Sequence, residues 1–203
     1  MNKIIIFLFL PCLIIFAGCS LVGDAIQGSI QNAKVVPAGA IIQGDGFSVR
    51  VPQADLYVVK DSPRPGFLSL RSPESEFLPG SYNVYPFTLA TSEPTLKAAW
   101  QAHISKETSR KFVQDYRVLS ERTNEWRGSI AWFHIGYFPS SIVTANCVTR
   151  HGDKYYLIVR SISLLSDDPH DVSRQSSMAE QELEVFLDGI QFNVPTTNNA
   201  EIR

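Results

Sequence analysis

The chain has little cysteine and little charge for its 203 residues. Three cysteines are too few for a disulfide-stapled scaffold. Lysine and arginine number 18 against 20 acidic residues, and they are scattered singly, so the sequence lacks the basic cluster that nucleic-acid binding needs. Charged residues make up only 19% and hydrophobic residues 44%, which excludes wholesale disorder. The length fits one globular domain.

The N-terminus reads as a secretory signal. Lys3 precedes an apolar run from Ile4 to Phe16, and small residues follow. The run is shorter than the roughly 20 residues that a membrane-spanning helix needs. We therefore predict a cleaved signal peptide over residues 1–18.

The tetrapeptide Phe16, Ala17, Gly18, Cys19 resembles the lipobox of bacterial lipoproteins. This resemblance implies that Cys19 carries a diacylglyceryl group and becomes the acylated first residue. Ser20 stands where an Asp would favour retention in the inner membrane, so the resemblance implies an outer-membrane anchor facing the periplasm. A plain apolar anchor is the alternative.

This prediction determines which cysteines keep a free thiol. Cys12 leaves with the signal peptide and Cys19 becomes a thioether, so Cys147 keeps the only thiol and no intramolecular disulfide can form. Cys147 lies in a strand-like run, where a buried and inert cysteine is expected.

The sequence after Cys19 divides into three parts. Residues 19–46 contain several glycines and no aromatic residue, which is typical of a flexible tether. The alternation of Phe47, Val49 and Val51 marks the start of a globular domain over residues 47–194. The polar residues 195–203 are predicted to form a frayed tail.

Strand and helix signals alternate within the globular part. Ser92 can cap a first helix with the stripe Leu96, Trp100, Ile104 and Phe112. Asp168 and Pro169 begin a second helix, which Gly189 ends. Strands are predicted over residues 47–51, 56–59, 67–70, 82–89, 116–122, 130–138, 141–149 and 155–165, and Pro86 demotes the fourth to an edge or bulged strand. The fold class is α+β: a single domain with a largely antiparallel sheet and two main helices packed on it.

This order of elements resembles the PsbP-like fold and the DcrB-type lipoproteins that share it. The resemblance rests on the opening Phe47, Val49, Val51, Pro52, on the long central hairpin, and on the closing Phe186, Leu187, Ile190, Phe192. It implies that the domain binds partners or envelope structures and is not an enzyme.

A search for catalytic and metal-binding motifs finds little. The sequence has no nucleophile elbow, phosphate loop, zinc-binding helix or Cys-x-x-Cys pair. His103 and His134 lie on apolar elements, where a buried structural role is expected. Ser166, Asp167, Asp168, His170 and Asp171 could supply oxygens to Ca²⁺, but helix capping explains the same residues. We therefore expect no catalytic residue, no metal and no cofactor.

Trp126 differs from the other aromatic residues because its neighbours in the sequence are polar. It lies in the polar stretch from Arg122 to Arg127, at a predicted strand connection. An exposed aromatic beside an arginine is typical of an interface, so Trp126 and Arg127 are the candidate partner-binding residues. Partial packing over the sheet edge is the alternative.

The function that these features favour is a non-catalytic lipoprotein of the cell envelope that binds or scaffolds a protein partner, within an envelope complex. One alternative is an envelope hydrolase or metal-dependent enzyme using His134 or the Asp167–Asp171 cluster. Another is a carrier of a small apolar ligand. A deep polar pocket at His134 would favour the enzyme, and a dry cavity lined by Trp100 and Trp132 would favour the carrier.

Overall fold

The computed structural model describes residues 34–53, 56–59, 66–71, 80–90, 93–107, 115–164 and 166–193. The described residues from Val35 onward belong to one compact unit. Within the described residues the helices are α1 (Leu96–Glu107) and α2 (Pro169–Asp188). The strands are β1 (Lys34–Val36), β2 (Ile41–Gln43), β3 (Phe47–Arg50), β4 (Leu56–Val59), β5 (Leu68–Arg71), β6 (Ser81–Phe87), β7 (Arg117–Trp126), β8 (Ser129–Phe138), β9 (Ile142–His151), β10 (Lys154–Ser163) and β11 (Ile190–Phe192).

Eight strands form one large sheet in the order β1-β4-β5-β6-β10-β9-β8-β7. Because side chains alternate along a strand, the sheet presents two faces, and each face packs against a helix. The α2 face carries Ala131, Cys147 and Ile158 in the main core with α2. The α1 face carries Trp132 and other residues that pack with Ala99 and Trp100 of α1. The expected α+β fold, a large antiparallel sheet with two helices in one domain, is confirmed.

A second, three-stranded sheet has the order β11-β3-β2. Ile190 pairs with Val49, so the chain after α2 returns to the beginning of the domain. This approach is close at Gly189, where a Cβ would lie 2.7 Å from the main-chain oxygen of Arg50. Gly189 ends the helix as predicted, but its φ of −81° shows that close packing, not a left-handed turn, requires glycine there.

The folded part of the chain begins earlier than the sequence indicates. Strands β1 and β2 lie within the predicted tether, and β2 pairs with β3 through Ile42 and Val49. Partly buried Ile42 packs against the main core. A tether ending at residue 46 is therefore wrong. Each of these strands has only three residues, too few for a recognisable alternation, and its conformation depends on pairing with a neighbouring strand, β4 for β1 and β3 for β2.

The two helices agree with the sequence to different degrees. Asp168 caps α2 by accepting from the main-chain N–H of His170, with Pro169 in the first turn, as predicted. In α1 the cap is Thr95, whose hydroxyl accepts from the N–H of Ala98. The predicted cap Ser92 and stripe residue Phe112 lie outside the described residues. Among the helices that the structure describes, neither is long and apolar enough to cross a bilayer.

Strand β6 corrects the expectation for Pro86. β6 lies inside the sheet between β5 and β10, although it contains a proline. The pairing with β5 stops at Val84, so residues 85–87 pair with β10 alone. The missing N–H of Pro86 is tolerated because the strand is locally an edge on that side.

Candidate functional site

Strand β7 is the long, exposed edge of the large sheet. Its ten residues pair with β8 from Arg117↔Tyr137 to Trp126↔Ser129. Within the part of the chain that the structure describes, no strand pairs with its other side. Every residue of β7 except Trp126 is exposed. The strand therefore presents a row of main-chain N–H and C=O groups to its surroundings.

The sequence of β7 explains this exposure. From Ser120 to Glu125 every side chain is polar, so neither face of the strand is driven into a core. At the beginning of the strand, Val118 and Leu119 are each 48% exposed. The pairing with β8 shifts between Val118 and Ser120, which marks a bulge. The edge thus combines an exposed apolar start with a polar, regular stretch.

Ion pairs flank the edge on the α2 face. Arg122 lies 5.2 Å from the ring centre of Phe133 and donates to Glu180 and Glu184 of α2. Two carboxylates share this one guanidinium. A small apolar cavity of about 60 Å³ lies beneath, lined by Phe133 and Leu183 among others. Its volume is well below the roughly 300 Å³ at which small-molecule sites begin.

A larger groove lies on the α1 face beside β7. It has a volume of about 590 Å³ and extends from the beginning of α1 across the sheet. Its lining includes Pro94, Lys97, Ile130, Trp132, Arg150 and Tyr155. Lys97 pairs with Glu121 of β7 at 2.7 Å, and Ile130 is 62% exposed. The groove therefore offers apolar surface with charges on its rim.

Trp126 and Arg127 lie where β7 turns into β8. Arg127 and Gly128 have positive φ values of 52° and 74°, which is the geometry of a type I′ hairpin turn. Half-buried Trp126 packs edge-on against Phe192, with ring centres 5.7 Å apart. Arg127 donates to the main-chain oxygen of Asp188 at 2.8 Å, at the end of α2. Both residues thus stabilise the domain at the C-terminal end of the exposed edge.

His134 is enclosed by aromatic rings on the α1 face. It is 1% exposed, and its ring centre lies 4.1 Å from that of Trp132 and 4.6 Å from that of Trp100. Among the described residues neither ring nitrogen has a hydrogen-bond partner. Burial, and secondarily the Lys97 charge, lowers the pKa of His134 to about 3. The imidazole is therefore neutral and packed among aromatic rings.

The other candidate residues also have packing or capping contacts. His103 is buried and stacks on Phe87, with ring centres 4.2 Å apart. The ring centres of Trp100 and Trp132 are 5.5 Å apart, and Trp132 also lines the groove on the α1 face. Cys147 is a buried free cysteine, and burial raises the pKa of its thiol.

The acidic cluster before α2 is used by the fold itself. Asp167 accepts from the main-chain N–H and the hydroxyl of Ser140, at 2.5 and 2.7 Å, and these bonds lower the pKa of its carboxyl. Asp168 caps α2, and Asp171 pairs with Arg174 at 3.0 Å. Within the described ranges, no three His, Cys, Asp or Glu residues are grouped so that they could hold a metal ion.

The exposed edge and the groove are the features that sequence reasoning missed. A signal existed, because the run from Ser120 to Glu125 lacks the apolar alternation of a half-buried strand. Such a polar run is compatible with an edge strand or with a loop. Its pairing with β8 shows that it is an edge strand.

Comparisons with known proteins concern the fold. No protein-family profile and no curated protein matches the chain. Solved structures that are similar to it include the cyanobacterial PsbP (CyanoP) of Synechocystis sp. PCC 6803, with 10% identity, a TM-score of 0.49, and coverage of 77% of this chain and 95% of that one. Another is PA94 of Pseudomonas aeruginosa, a protein of unknown function, with 8% identity, a TM-score of 0.41, and coverage of 72% and 94%. The lipobox lies outside the described residues.

Proposed function

We propose that this chain is a non-catalytic lipoprotein of the bacterial cell envelope whose domain binds a protein partner. One observation carries the proposal: β7 is a ten-residue sheet edge that is exposed along its length and begins with exposed Val118 and Leu119. Unpaired main-chain groups beside exposed apolar side chains are typical of surfaces that bind other proteins. We place the partner surface along β7 and include Trp126 and Arg127 at its end.

The proposed location follows from the N-terminal sequence. Cys19 would carry the lipid anchor, with the domain on the periplasmic side of the outer membrane. Because β1 begins at Lys34, only residues 20–33 would connect the anchor to the domain. The partner would accordingly be found close to the membrane, as in an envelope complex.

The partner surface can be tested by affinity capture from native membranes. A Val118→Ser, Leu119→Ser double variant should lose the captured partner, because the exposed apolar contact is removed. Val35→Ser is the matched control, since Val35 is similarly exposed on the opposite edge strand of the sheet. Equal recovery with the double variant and with wild type would contradict a partner surface on β7.

The anchor is tested separately by Cys19→Ser. This variant cannot receive the diacylglyceryl group, so we expect an unprocessed precursor and no lipid-anchored mature protein in outer-membrane fractions. More than one buried acyl chain makes the wild-type attachment stable, since each CH₂ contributes about 0.8 kcal/mol. Normal processing and outer-membrane recovery of the Cys19→Ser variant would contradict the lipoprotein assignment.

A further inference from the structure

We propose that the partner contributes an extended, basic segment that adds to β7 as a further strand of the large sheet. The segment would place Lys or Arg side chains on the α2 face, against Glu180 and Glu184, and apolar side chains on the α1 face, over Ile130. This inference rests on the proposed protein-binding function and specifies how the partner is held.

The first argument is the outer edge of β7, which pairs with no other strand among the described residues. Buried or bound backbone N–H and C=O groups need hydrogen-bond partners, and an edge strand supplies them for an incoming strand. The regular stretch after the bulge runs from Ser120 to Trp126 and pairs residue by residue with β8. A partner segment of about seven residues, spanning about 23 Å at 3.3 Å per residue, would match this stretch.

The second argument is the charge beside the edge. Five carboxylates lie on or beside the regular stretch, three on the α1 face and two on the α2 face, and three cations lie among them. The carboxylates belong to Glu93, Glu121, Glu125, Glu180 and Glu184, and the cations to Lys97, Arg122 and Arg150. The surplus of negative charge favours a basic segment and disfavours an acidic one. Glu184 is the most available of these groups on the α2 face, because its side chain is 62% exposed and its contact with Arg122 is 3.3 Å long.

The third argument is the groove on the other face of the same edge. Glu121 and Thr123 of β7 line it, together with Ile130 and the aromatic residues Trp132 and Tyr155. Side chains of an added strand alternate between the two faces. Every second side chain would therefore lie beside the groove, where an apolar group covers exposed Ile130, while those between face the Glu180 and Glu184 carboxylates.

A synthetic peptide tests this mode of binding on the intact protein. The probe is a fluorescent nine-residue peptide with Lys at alternate positions and Thr or Phe between them. Two further peptides carry backbone N-methyl groups, one at the Lys residues and one at the residues between. In a strand, alternate N–H groups point to opposite edges, so methylation blocks one edge at a time. One methylated peptide should bind like the parent, and the other at least about tenfold more weakly.

Variants of the protein test the side-chain contacts. Glu180→Gln with Glu184→Gln should weaken peptide binding about tenfold at low salt and reduce its salt dependence. Ile130→Ala should weaken it severalfold, whereas Ile41→Ala should not, although Ile41 is equally exposed in the small sheet. A peptide with Glu in place of Lys should not bind.

The outcomes separate this inference from the proposed function. Absence of parent-peptide binding, or equal weakening by the two methylation patterns, overturns strand addition. If either result accompanies partner capture that still depends on Val118 and Leu119, the protein-binding function stands and only its mode is wrong. If capture does not depend on these residues, the proposed surface fails as well.

Discussion

The enclosed position of His134 predicts a specific loss of stability in acid. Its ring contacts both Trp100 and Trp132, and burial lowers its pKa to about 3, against an ordinary value of 6.5. The folded state thus binds the proton more weakly than the unfolded state. The stabilisation is fully present above pH 6.5 and is lost as the pH falls towards 3.

The size of the pKa shift sets the size of the stability loss. Each pKa unit corresponds to about 1.36 kcal/mol, so the shift from 6.5 to about 3 limits the unfolding free energy that protonation of His134 can remove to about 5 kcal/mol. Between pH 7 and pH 5 the wild type should lose about 2 kcal/mol of unfolding free energy through His134 alone. The substitution His134→Phe keeps an aromatic ring in the cluster and removes the titration.

Urea unfolding followed by circular dichroism at pH 7 and pH 5 measures this difference. The wild type should lose about 2 kcal/mol more than His134→Phe over this interval. Comparing the two pH values within each protein cancels any change in packing caused by the substitution. His170→Gln, at the exposed beginning of α2, is the control and should retain the wild-type loss. An equal loss in wild type and His134→Phe would refute the reasoning.

Two other groups of buried residues give measurable expectations. Glu182→Ala should lower the free energy of unfolding by about 1–3 kcal/mol, because it leaves Arg160 without its 2.5 Å ion pair and the Arg160 side chain is only 7% exposed. This cost is less than usual for a fully buried pair, since Glu182 is partly exposed. Glu184→Ala on the same helix should cost about 0–1 kcal/mol by urea unfolding, and equal costs would contradict the distinction. Burial raises the pKa of Tyr82 and of Tyr116 from 10 to about 12, so stability should fall as the pH rises from 10 towards 12. The tyrosinate absorbance of these two residues, measured as the difference between wild type and the Tyr82→Phe and Tyr116→Phe variants, should then appear with unfolding, and its appearance near pH 10 in the folded protein would refute this expectation.

The parts of the fold that were predictable have strong local signals. The cap at Asp168, the proline after it and the buried stripe Val172, Ala179, Leu183 and Phe186 all lie within one helix. The central strands were recognisable because both of their alternating faces are apolar, as a sheet covered on both sides requires. In the structure, β8, β9 and β10 pack with α1 on one face and α2 on the other.

The parts that were not predictable depend on pairing and packing that a short stretch of sequence does not show. Strand β2 has only three residues, and its pairing with β3 decides its conformation. The predicted strand connection from Arg122 to Arg127 is wrong, because β7 continues to Trp126 and only Arg127 lies in the turn. The contact partner of Trp126, Phe192, lies far along the chain. We therefore expect Trp126→Ala to cost more stability than replacement of a fully exposed aromatic residue. Its partner-binding role stays a prediction.

The charged side chains on and beside β7 affect which partner strand the edge can bind. A long exposed edge could pair with a second copy of the same chain, and proteins avoid this with charges and bulges. Here the bulge after Val118 interrupts one end, and the carboxylates of both faces flank the rest. Pairing two copies of β7 would bring two such acidic borders together, whereas a basic segment would neutralise one. The same charges that disfavour self-association therefore favour a basic partner strand. The peptide experiment tests this preference by comparing the Lys peptide with the Glu peptide.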